Sequence, residues 1–89
     1  MIISSAVKII PIDSDSDYPI IVTGLRHADC YEKIHNMKID YDHNQVQEGF
    51  MTEDNQFLDR IKAKKVALHW GQIEEDGCPA LYSEDIWPE

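Results

Sequence analysis

Among the eight basic residues of this 89-residue chain only two are arginines, Arg26 and Arg60. Each opens a stretch with helical spacing, in GLRHAD and FLDRIK. The first N–H groups of a helix lack intrahelical partners and favour an anion there. A planar guanidinium grips two phosphate oxygens at once, whereas a lysine is a flexible point charge. The pair therefore points to a phosphate-bearing ligand. The bland alternative is a local ion pair, Arg26 with Asp29 and Arg60 with Asp59. Phe50 and Phe57, on opposite arms of a short hairpin, can offer an aromatic face to an adenine ring, or both can be core. One stacked base contributes on the order of 1 to 3 kcal/mol. The stretch YSED gathers Tyr82, Ser83, Glu84 and Asp85, hydroxyls and carboxylates of the kind that partner a ribose.

Other chemistry is weakly signalled. The sequence contains no GxSxG, Walker loop or HExxH. His27 and Glu84 can be paired as acid and base on paper, but seventeen acids and four histidines make such pairs easy to assemble. His27, Cys30, His35 and Cys78 supply only half a zinc spacing. The two cysteines fit neither a disulfide framework nor CxxC, and read as free thiols packed in a reducing compartment. DSDSD, residues 13 to 17, is a turn cluster without the central glycine and distal glutamate of a calcium loop. Neither a cofactor nor a metal is expected.

Composition narrows the partners. A formal charge of −9 opposes general binding to nucleic acid or an anionic membrane, which need a basic surface. No run approaches the roughly 18 apolar residues of a membrane span, and Met1–Ser5 lacks the basic start of a signal peptide. The expected compartment is the cytoplasm. At this length a single domain exposes much surface, so stability shared with a second copy is expected.

The elements that must position these residues follow from periodicity. Residues 2–12 and 18–23 are rich in β-branched side chains and form an antiparallel hairpin, with Pro11 and Pro19 near its turn. Cys30, Tyr31, Ile34 and Met37 repeat at helical spacing, predicting a helix over 26–37. Residues 38–47 are a loop entering a short strand at Val46, and EGFMT and QFLD straddle the turn EDN as a second hairpin. Asp59 caps a helix from Arg60 whose apolar stripe is Ala63, Val66, Ala67 and Trp70, with Gly71 as its stop. Residues 80–86 read as a last strand with Leu81 inward. The prediction is one α+β domain: a small antiparallel sheet with an N-terminal hairpin, 2–23, and two helices, its ligand-binding core over 24–87.

The ordered series GLRHADC, EGFMTEDNQFLDR, AKKVALHWGQI and ALYSEDIW resembles small phage proteins that counter the Thoeris antiphage system, the first-described Thoeris anti-defence sponges. The similarity runs from Gly24 to Trp87. Arg26 and His27 match an RH element, Phe50 and Thr52 a GF-T element, Phe57, Asp59 and Arg60 an FVDR element, and Ser83, Glu84 and Asp85 an SED element. The resemblance implies a non-catalytic protein of the infected bacterium's cytoplasm that sequesters a cyclic ADP-ribose isomer. It implies pockets shared between protomers of a homo-oligomer, a dimer or a hexamer, and a separate site for cyclic oligonucleotides in some relatives. The chain departs from the pattern after Asp59-Arg60, where Ile61-Lys62-Ala63 replaces the usual acidic turn, and at Asn55-Gln56, where a cation is expected. Two rival readings stand beside it: a nucleotide-signal hydrolase or lyase using His27 and Glu84, and an acidic inhibitor that meets a basic host protein directly.

Overall fold

Isoleucine and valine crowd both arms of the predicted N-terminal hairpin, and in the computed structural model they pair as strands. The structure describes residues 1–12 and 19–87, so the DSDSD turn lies outside the described residues. Strand β1 (Ile2–Ile9) pairs antiparallel with β2 (Ile20–Gly24), Ser5 opposite Gly24 and Ile9 opposite Ile20. On its other side β1 pairs antiparallel with β3 (Gln47–Thr52), and β3 with β4 (Phe57–Asp59). The two hairpins thus merge into one four-stranded sheet of order β2-β1-β3-β4. β3 begins one residue after Val46, and the turn joining it to β4 places Asn55 at φ 62°, which asparagine tolerates better than most residues. Gly49 has no room for a side chain: a Cβ there would lie 2.2 Å from the Leu58 carbonyl oxygen.

Among the described residues three helices accompany the sheet. Helix α1 (His27–Met37) starts where Asp29 accepts the Arg26 backbone N–H at 3.1 Å. Beneath it Val7, Ile9, Val22, Cys30 and Ile34 form one buried cluster. Cys30 is therefore a packed thiol, pushed up in pKa by burial. On the edge strand β2, Lys33 of α1 donates its ammonium to the Thr23 carbonyl at 2.6 Å.

Helix α2 (Arg60–His69) is capped as expected, Asp59 accepting from the Lys62 N–H at 2.8 Å. Its end is a Schellman arrangement: Gln72 N–H to Ala67 C=O at 2.8 Å and Gly71 N–H to Leu68 C=O at 3.1 Å, with Gly71 at φ 69°. Ala63 and Ala67 join Ile2, Phe50 and Leu81 in a second buried cluster. The Gln72 amide then exchanges two hydrogen bonds with the Ile2 backbone, both 2.8 Å, and ties this end of α2 to β1. One expectation fails here. Trp70 is 56% exposed, because it is the C-cap of α2 rather than part of its helical stripe, and its ring stands in a T-shaped contact with His69. Lys64 is buried instead, its ammonium 2.7 Å from Asp76.

The strand expected over 80–86 is also absent. Leu81 is fully buried as predicted, but Ser83–Ile86 is a short helix, α3. The reason is local: Asp85 accepts the Tyr82 N–H at 2.9 Å, and its own N–H returns to the Tyr82 carbonyl. That reciprocal arrangement starts a turn and cannot extend a strand. The outcome is an α+β fold with both longer helices over the sheet face that carries Val7, Val22 and Phe50.

Candidate functional site

Between the two apolar clusters β1 carries Ser5, buried and polar, where its neighbours Ile2, Val7 and Ile9 are apolar. This seam is where the starts of α1, α2 and α3 converge. They border a cleft of about 290 Å³ lined by Arg26, His27, Ala28, Arg60, Tyr82, Ser83 and Glu84. Five of the nine residues expected at a site thus meet in one place, including both arginines.

Arg60 reaches the cleft from the first residue of α2. Its guanidinium donates to the Leu81 carbonyl at 2.8 Å and to Glu48 at 2.5 Å, and lies 4.7 Å from the centre of the Tyr82 ring. The Leu81 N–H returns to the Arg60 carbonyl at 3.0 Å, so one residue fixes the last segment of the chain twice. The ion pair is real, but its partner is Glu48 of β3 rather than the adjacent Asp59. Arg26, the N-cap of α1, donates to the Trp87 carbonyl. Asp29 holds the Arg26 backbone N–H.

Glu48 is the centre of the charge arrangement and was not expected at the site. Burial pushes its carboxyl up, yet hydrogen bonds from Arg60 and Tyr31 outweigh burial and hold it below the usual carboxylate range. Tyr31 donates to it at 2.8 Å, and its phenol is raised by burial and by that bond. The sequence signal was there, an acid two residues from Phe50 on the same strand and so on the same face.

His27 is pinned on both nitrogens. Nε2 lies 2.8 Å from the Gly49 carbonyl, which accepts its proton, and Nδ1 lies 2.8 Å from Ser83 Oγ. Ser83 Oγ is in turn 2.7 Å from Ser5 Oγ, which donates to the Leu25 carbonyl at 3.0 Å. Burial lowers the His27 pKa, opposed by the Gly49 bond and reinforced by Arg60.

The remaining predicted residues stand elsewhere, each for a geometric reason. Phe50 and Phe57 do not share a face. Phe50 is opposite Leu58 and Phe57 opposite Met51, so the pleat sends them to opposite sides of the sheet. Phe50 is fully buried against the edge of His27, ring centroids 5.1 Å apart. Phe57 lies beneath the Lys8 ammonium at 5.9 Å. The aromatic platform is therefore corrected: the ring that borders the cleft is Tyr82, 46% exposed. Thr52 is buried and its hydroxyl accepts the Gln56 N–H of the hairpin turn. Asp85 caps α3. Of the half zinc spacing, Cys30 is in the core and Cys78 Sγ donates to the Ala80 carbonyl. Among the described residues no group of three His, Cys, Asp or Glu side chains converges on one point.

The family model described as the phage T4 y16D protein matches residues 1–87. The chain belongs to this family. Every residue of the cleft falls inside the matched range. No curated protein and no solved structure matches the chain. Among the described residues no helix is long and apolar enough to cross a membrane.

Proposed function

We propose that this phage protein is a non-catalytic sponge whose cleft binds a cyclic ADP-ribose isomer and withholds it from Thoeris antiphage defence. One observation supports the reading above the others: the only two arginines of a −9 chain line the same cleft beside the exposed Tyr82 ring. The guanidinium groups take the pyrophosphate, Tyr82 takes the purine face, and Glu84 faces the ribose hydroxyls. A volume of about 290 Å³ is at the small end of ligand sites, so a dinucleotide-sized ligand overhangs it. In this reading a second copy closes the site, and the tight binding that stoichiometric capture demands follows from that closure. Nanomolar affinity corresponds to roughly −12 kcal/mol, which one shallow cleft does not supply.

Native mass spectrometry with cyclic ADP-ribose isomers tests this directly, followed by heating to release what is bound. The expected result is intact isomer recovered in stoichiometric amount, with loss of binding in Arg26→Ala. Salt-sensitive capture of a host protein with no nucleotide bound would select the acidic-inhibitor reading instead.

A hydrolase is the second reading, favoured by a specific geometry. Ser83 Oγ is within hydrogen-bond reach of His27 Nδ1, while Nε2 is oriented by Gly49, which is the arrangement of nucleophile, base and orienting group. It ranks lower because Ser83 is only 3% exposed and is also engaged by Ser5. Multiple turnovers at substoichiometric protein would select it over the sponge.

A further inference from the structure

The chain of contacts through His27 can be counted proton by proton. Four contacts run in series: Gly49 C=O with His27 Nε2, His27 Nδ1 with Ser83 Oγ, Ser83 Oγ with Ser5 Oγ, and Ser5 Oγ with Leu25 C=O. The two carbonyl ends only accept, each hydroxyl owns one proton, and a neutral imidazole owns one. The Nε2 proton is committed to Gly49 and the Ser5 proton to Leu25. Ser83 is then asked to donate to both His27 and Ser5, at 2.8 and 2.7 Å, with a single proton. One short contact is left with lone pair against lone pair, which is costly for groups this buried.

An imidazolium removes the shortage. Donation then runs outward from the ring in both directions, to Gly49 on one side and through Ser83 and Ser5 to Leu25 on the other, and each contact holds one proton. Opposing this are burial and the Arg60 charge on α2. Glu48 on β3 and Glu84 on α3 favour the cation, and the balance keeps the ring below its ordinary pKa. Arg26, at the cap of α1, lines the same cleft and adds a second positive charge. The neutral ring is thus held by burial first and by Arg60 second, against its own hydrogen-bond geometry.

We propose that an anion docked between Arg26 and Arg60 brings a proton onto His27, so that the cleft takes up its ligand and a proton together. This rests on the binding reading above. The bound charge offsets Arg60, the charge that opposes a proton on the ring, and the proton count works against the burial that remains. Near neutrality His27 is thus a third cation under the ligand when the ligand is present.

ADP-ribose is a suitable probe, because its pyrophosphate diester does not titrate near neutrality. Nuclear magnetic resonance of the His27 ring nitrogens across pH, with and without saturating ADP-ribose, reads the proton directly. The expected result is a single proton on the free ring near neutrality, and a midpoint that moves up on binding. Affinity then strengthens on acidification by up to about tenfold per pH unit above the free midpoint. Ser5→Ala is the discriminating variant, since Ser5 touches neither the ring nor the cleft. It lets the neutral chain satisfy every remaining contact, so the pH dependence should flatten. A His27 midpoint that ADP-ribose leaves in place while Arg26 and Arg60 signals shift overturns the proton coupling alone. No shift at any cleft residue overturns the coupling and the nucleotide-binding reading together. A steep pH dependence that survives Ser5→Ala also overturns the count.

Discussion

At the residue scale the site is governed by a few charges that neutralise one another. Glu48 accepts from Arg60 and Tyr31, so removing its charge should be felt at the phenol. In Glu48→Gln the Tyr31 ionisation should move back towards the ordinary tyrosine value without reaching it, because burial is the larger cause of its elevation. A spectrophotometric titration of the tyrosines measures this. Stability should also fall on acidification in two windows. The depressed His27 pKa means that the unfolded chain binds more protons between the folded value and about 6.5, so stability is full above that range and declines through it. Glu48, also depressed, contributes stability above the ordinary carboxylate value and loses it as pH falls through its folded one. Urea midpoints followed from about pH 8 to pH 3 should show both declines, and a flat profile would contradict the assignment of either group.

At the element scale, Gly49 joins the sheet to the site. Its carbonyl anchors His27, while its Cα faces the Leu58 carbonyl so closely that a methyl group would sit 2.2 Å from that oxygen. Gly49→Ala must therefore pry β3 from β4, with an expected loss of about 1 to 3 kcal/mol in chemical denaturation and a change in the His27 ring signals. Much at this level was legible in the sequence. Both hairpins, the first helix and the Asp59 cap follow from β-branched runs, apolar spacing and one carboxylate. What escaped was decided by termination. Trp70 has the right spacing for the buried stripe, but the Schellman turn at Gly71 ends the helix beneath it. SED has the look of a strand end until Asp85 folds back on the Tyr82 N–H. Pattern registers periodicity; it does not register which side chain closes on the backbone first.

At the scale of the whole molecule, the sheet carries two apolar clusters with a hydrophilic seam between them, and the cleft opens on that seam. The co-location of Arg26 and Arg60 was the expectation most dependent on tertiary structure. It could be anticipated only from their shared position at helix starts. Glu48 and Ser5 were missed because each looks like an ordinary strand residue until β1 and β3 are known to be neighbours. Phe50 and Phe57 were misread for the opposite reason, since a hairpin puts them near each other in sequence while the pleat separates them in space.

The ammonium of Lys33 on the Thr23 carbonyl has a consequence for life in a crowded cell. β2 borders the sheet, and the run IIVTG along it is the sort of tape on which a stray strand can template itself. A tethered, hydrated charge seated on one of its carbonyls spoils that register for any newcomer. In Lys33→Ala the border is open, and light scattering at high protein concentration should reveal growth into larger particles that the parent chain resists.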